Sequence, residues 1–179
     1  NDPMKTINWK ASAKTGKMMV NTYDSTLAGK AMIYLDVEDK GIYDYENLIE
    51  EGISVAASLA QKLILRGIET GIALNTKNAQ QSWLKPKTGR AQLTQIEKVL
   101  AKRDANEECV SYGDILTDFL PDTVPVFITK DVVRNREKIE SFLGKESFGI
   151  WIIPYQKEDN VPVSESGNLK IVKREVEGR

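Results

Sequence analysis

The run Ala31-Met32-Ile33-Tyr34-Leu35, closed by Asp36, constrains the fold more than any other part of the chain. Five apolar residues in a row carry neither the alternation of a half-buried strand nor the spacing of an amphipathic helix. They mark a strand covered on both faces, as in parallel sheets. Ile68 to Leu74, Val124 to Thr129 and Phe148 to Ile153 read the same way, with Pro154 ending the last. Between them lie helical spacings. Leu48, Ile49, Ile53, Ala56, Leu59, Ala60, Leu63 and Ile64 recur up to Gly67, with Asp44 as N-cap. Further helices are predicted over Ala91 to Arg103, Tyr112 to Leu120 and Asn135 to Leu143. Asn75 to Thr88 reads as a long polar loop, and Leu169 to Val172 as an edge strand. Alternating strands and helices predict an α/β fold with a doubly wound, mostly parallel sheet. At 179 residues, 41% of them hydrophobic, the chain suits a single domain with one substantial core.

Ahead of the first run, 7–14 reads as a short helix with Trp9 inward, and 17–23 as a short edge strand. Residues 1–30 hold five lysines against Asp2 and Asp24, and 36–51 hold seven acids against Lys40. The near-neutral total of −1 therefore hides a basic start and an acidic loop. The sparse lysines read first as a solvated face, and otherwise as a contact for an acidic partner or membrane surface.

Composition removes several function classes. With no histidine, a Ser-His-Asp triad, a Cys-His dyad and a His-ligated metal site are impossible. Cys109 alone forms neither an internal disulfide nor a multi-cysteine zinc site, and it points to a reducing compartment. No basic excess marks a nucleic-acid footprint. No apolar run approaches a membrane helix, and these residues show no signal-peptide pattern. Thr15-Gly16-Lys17 fails as a phosphate loop, because Ala11 and Met18 stand where a Gly and a Ser or Thr are required.

In a doubly wound sheet, ligands bind beyond the carboxyl ends of the strands, and Asp36 sits at such an end. One reading makes Asp36 the nucleophile of a metal-dependent hydrolase or phosphotransferase. Glu38 would be the second carboxylate, Lys130 the supporting ammonium and Thr129 the hydroxyl. The other reading has Asp36 simply accepting backbone N–H groups at the next helix start. Trp151 reads as core. Trp83, in the polar loop, reads either as an interface anchor or as a ring folded onto the sheet.

The segment from Asp2-Pro3 through Ile7-Asn8-Trp9-Lys10-Ala11-Ser12-Ala13-Lys14 to Gly16 resembles the signature of the bacterial family catalogued as domain of unknown function 58. Asn8 stands for that family's usual Asp, and Lys14 for its usual Arg. The strand ending in Asp36, the helix containing Ser54-Val55-Ala56-Ala57-Ser58-Leu59-Ala60 and the Gly89-Arg90 helix start continue the likeness. The resemblance covers most of 1–155. It implies a von Willebrand factor A-like domain over 1–179, with 1–30 as lead-in and 156–179 as a polar tail. It further implies a non-catalytic protein-interaction module, not an enzyme, working with a MoxR-type AAA ATPase. The domain is expected to be a cytoplasmic piece of a longer, membrane-anchored protein, touching the membrane only through segments outside this chain.

Domains of that type carry a metal-ion-dependent adhesion site, read as Asp-x-Ser-x-Ser plus a loop Thr and a later Asp. Here Asp36 matches, while Glu38 and Lys40 replace both serines. Thr88 is the candidate Thr and Asp131 the candidate Asp. Any metal would sit on Asp36, Thr88 and Asp131. The resemblance with these replacements implies a degenerate site without a cofactor, in which the Lys40 ammonium stands in for Mg²⁺. Coulomb repulsion between an ammonium and a divalent ion at about 4 Å is at least 1 kcal/mol per unit-charge pair even in water. Asp36 to Tyr43, Asn75 to Thr88 and Lys130 to Arg134 are the expected partner surface.

Overall fold

A computed structural model describes residues 12, 29–39, 46–78, 82–103, 108–145, 147–157, 159, 161, 163 and 167–176. Strands β1 (Lys30–Leu35), β2 (Glu69–Leu74), β3 (Trp83–Lys87), β4 (Thr123–Ile128), β5 (Gly149–Gln156) and β6 (Leu169–Val176) form one sheet. Helices α1 (Glu46–Leu65), α2 (Arg90–Ala101) and α3 (Val132–Leu143) cover it, with a turn of 3-10 helix at Tyr112–Ile115. The strand order is β3-β2-β1-β4-β5-β6. Every pairing is parallel except that of β3 with β2. This is an α/β, Rossmann-like layout.

β1 lies at the centre. Lys30 to Leu35 pair in register with Glu69 to Leu74 on one side and with Thr123 to Ile128 on the other. The pleat sends alternate side chains to opposite faces, so the five-residue apolar run feeds two cores. Ala31, Ile33 and Leu35 pack with the apolar faces of α1 and α2. Met32 and Tyr34 pack with Phe127, Trp151, the 3-10 turn and Ile139 and Leu143 of α3. Trp151 is fully buried, as its place in an apolar strand requires.

Prolines fall where the sheet tolerates them. Pro125 lies one residue before β5 joins β4, and Pro154 lies beyond the last β4–β5 pair, so each has a partner strand on one side only. For that reason β5 runs through Pro154 to Gln156 instead of ending there. Two other expectations change. The polar stretch 75–88 contains β3, an antiparallel edge strand whose approach is set by Gly71. A Cβ on Gly71 would meet Leu84 O at 2.5 Å and Pro86 N at 2.8 Å, so only glycine allows the bulged pairing there. The expected helix from Tyr112 to Leu120 is a single 3-10 turn, closed at its start by a Ser111–Asp114 capping box. The expected helix 7–14, apart from Ser12 (helical and buried), strand 17–23 and cap Asp44 lie outside the described residues. Among the described residues, no helix is long and apolar enough to cross a membrane.

Two tyrosines record how dry the second core is. Tyr34 and Tyr112 both have their phenol pKa pushed above the ordinary value of 10.0, first by burial. Nearby acids add to this: Asp118 for Tyr34, and Asp36 for Tyr112. Tyr112 Oη donates to the Tyr34 carbonyl oxygen at 2.8 Å. A raised folded-state pKa contributes stability that is whole below the unfolded pKa and is lost as pH climbs past it. The fold should therefore weaken above about pH 10. In an ultraviolet pH titration these two tyrosines should ionise only as the chain unfolds, and Tyr112→Phe should flatten the alkaline loss of stability.

Candidate functional site

α1 follows β1 on one face of the sheet, and α3 follows β4 on the other. The chain thus leaves two neighbouring strands in opposite directions, which opens a crevice at their carboxyl ends. Asp36 stands in it. Its backbone N–H donates to Ile128 O at 2.9 Å and so extends the β1–β4 ladder by one step. Its side chain is almost fully enclosed, with the residue 7% exposed.

The carboxylate is saturated. Oδ1 accepts from Asn75 Nδ2 at 2.9 Å and from the Glu38 backbone N–H at 3.1 Å. Oδ2 accepts from Thr129 Oγ1 at 2.7 Å and from Asn135 Nδ2 at 3.1 Å. An ionised carboxylate offers about four acceptor sites, and all four are used. The partners are themselves held. Asn75 Oδ1 accepts from Val37 N at 2.8 Å, and its Nδ2 also reaches Val110 O at 3.2 Å. Thr129 Oγ1 accepts from Asn135 Nδ2 at 2.9 Å and from Asp131 N at 3.2 Å. The Thr129 carbonyl takes the Trp151 indole N–H at 3.3 Å. One carboxylate therefore ties together the turns after β1, β2 and β4 and the first turn of α3.

A rim of paired charges surrounds this hub. Lys130 Nζ donates to the Glu38 carbonyl oxygen. The Arg134 guanidinium lies 3.6 Å from Glu38 Oε2 and 3.2 Å from Asp131 Oδ2. Asp131 caps α3 by accepting the Arg134 backbone N–H at 3.0 Å. Deeper along α1, Arg103 forks onto Glu46 at 2.6 Å and Glu50 at 3.1 Å. The hydrogen bond from Arg103 holds the Glu46 carboxyl below its usual range. Val133, in the first turn of α3, is 92% exposed beside this rim.

The residues named from the sequence separate into groups. Asp36, Glu38 and Asp131 converge, as do Thr129 and Lys130. Lys40 lies outside the described residues. Thr88 does not join them. It follows Lys87, which pairs with Thr70 near the start of β2, so the antiparallel run of β3 carries it to the opposite end of the sheet. The hydroxyl on Asp36 comes from Thr129 instead. Trp83 is half-buried, opening β3 and packed against the second core. Asn75 and Asn135 were not among the candidates. Asn135 carried a signal: it falls four and eight residues before Ile139 and Leu143, on the buried stripe of α3, where a polar residue needs a partner.

The donor set does not fit a divalent cation. Mg²⁺ demands a near-octahedral shell of oxygens. Around Asp36, two of the four close groups are amide N–H₂ ends, and the Asn75 oxygen is turned away to meet Val37 N. Metal entry would require stripping these bonds. The same saturation opposes use of Asp36 as a nucleophile, since every lone-pair site already holds a proton donor.

No protein-family model, no curated protein and no solved structure matches the chain.

Replacing Asp36 by Asn leaves shape intact but sets an amide N–H₂ against the existing donors. Urea denaturation should show a loss of about 2–4 kcal/mol, because a buried group loses charge-assisted bonds and orphans its partners. Asn135→Ala should cost about 1–3 kcal/mol by the same measurement.

Proposed function

We propose that this chain is a von Willebrand factor A-like domain of the domain of unknown function 58 type. In this reading it acts as a non-catalytic protein-binding module within a longer, membrane-anchored protein. The carboxyl-end loops are its partner surface, and the partner is a MoxR-type AAA ATPase. The observation that carries the reading is the filled coordination of Asp36. A carboxylate in the position where such a fold acts has been turned into a structural tie, which suits a fixed surface better than a reacting centre. The sheet order with an antiparallel edge strand supports it, as does the signature in the first sixteen residues.

The surface itself has the make-up of an interface. Val133 projects from a rim of Lys130, Asp131, Arg134 and Glu38, an apolar point inside a polar ring. Because Asp36 locks the turns beneath it, the rim is presented without an ordering cost on binding. The adhesion site of this reading is degenerate, and its internal donors are Asn75, Thr129 and Asn135.

A MoxR-type ATPase immobilised on resin should retain the chain. Val133→Asp should weaken retention about ten-fold or more, while leaving urea stability unchanged, since a new carboxylate would be buried at the contact. The opposing enzyme reading predicts Mg²⁺-dependent hydrolysis of phosphate esters that Asp36→Asn abolishes. No such hydrolysis is expected.

A further inference from the structure

The end of the sheet opposite Asp36 has a separate chemistry. α1 runs from the carboxyl end to the amino end of the strands, and α2 runs back, as the Arg103–Glu46 pair at the far end requires. The last turn of α1, the start of α2, the start of β1 and the end of β3 therefore meet. They bring together Arg66, Arg90, Lys30 and Lys87, all exposed. Lys30 and Lys87 stand two strands apart, about 10 Å. α1 holds no acid after Glu51. Glu69 lies 3.7 Å from Lys30, and the exposed Asp118 and Asp122 lie beyond Lys30, on the approach to β4. Leu65 projects from among these bases and is 76% exposed.

Local stability does not account for this cluster. Arg66 suits the carboxyl end of α1, but no acid of that helix stands within four residues of it. Arg90 opens α2, where a cation opposes the helix dipole, and no acid stands in that first turn. An apolar side chain this exposed gains nothing from the fold.

We propose that this end docks onto an anionic lipid surface, with Leu65 entering the headgroup layer and Lys30, Arg66, Lys87 and Arg90 over the phosphates. Apolar insertion and basic attraction together are what interfacial binding needs. A phosphate backbone would use the charges but not Leu65, and single-strand binding would want exposed rings in its place. Docking this way turns the Asp36 rim away from the bilayer, so the proposal stands independently of which partner that rim takes.

The test is cosedimentation of the full chain with vesicles of phosphatidylcholine alone or with one quarter phosphatidylglycerol. The expected result is binding only to the anionic vesicles, reversed by high salt. Each base removed should lower partition about five-fold. A Lys87→Gln, Arg90→Gln pair should therefore lose about twenty-five-fold, and Leu65→Asp should also weaken binding. Lys98→Gln and Lys102→Gln, at the other end of α2, should have no such effect. Equal binding to both vesicle types, or none to either, would overturn the proposal. So would binding to DNA that is indifferent to Leu65→Asp and stronger than binding to the vesicles. Self-association through this end in sedimentation, abolished by the same glutamine pair and without vesicle binding, would also overturn it.

Discussion

A buried carboxylate with four hydrogen-bond donors is the constraint on which the upper half of this molecule depends. Burying Asp36 as an ion is costly unless every acceptor site is filled. Here the filling is done by residues from three separate turns: Glu38 N, Asn75, and Thr129 with Asn135. None of these groups is close to another in sequence except Thr129 and Asn135. The tie therefore adds to the sheet ladders in fixing the relative height of β1, β2 and β4. It also explains why Asn135, a polar residue on the buried stripe of α3, is tolerated there.

Around that tie, the two ends of the sheet differ in how their described charges are arranged. Towards the carboxyl end, four described acids are met by bases from elsewhere: Arg134 on Glu38, Arg103 on Glu46 and Glu50, Arg174 on Glu51. The amino end keeps its bases exposed around Leu65. Among the described residues, the exposed large aliphatic side chains Leu65 and Val133 mark opposite ends of the fold. Each end offers an apolar point in a polar ring, with different charge around it. Under the two proposals above, each end would meet a different surface.

The strands were legible because burial on both faces leaves uninterrupted apolar runs, and β1, β4 and β5 show them without ambiguity. α1 was legible from its long helical spacing. β3 was not. Trp83-Leu84-Lys85-Pro86-Lys87 is an edge strand exposed on one side, and its pairing depends on the missing side chain of Gly71 in another element. The Tyr112 turn misled because its apolar spacing continues past the point where the backbone leaves the helix. At the site, Asp36 was legible from position alone. Thr88 was misplaced because an unseen antiparallel strand reverses the chain before it. Asn75 was missed because an Asn after a strand looks like any turn residue until the carboxylate it meets is known.

The central claim is that Asp36 is held by the protein's own donors and not by a metal. The most direct measurement is the NMR spectrum of the side-chain N–H₂ groups of Asn75 and Asn135, recorded while Mg²⁺ is added. Both groups should be protected from solvent exchange and unmoved by the metal. Shifts of these resonances that saturate with Mg²⁺ and disappear in Asp36→Asn would contradict the account.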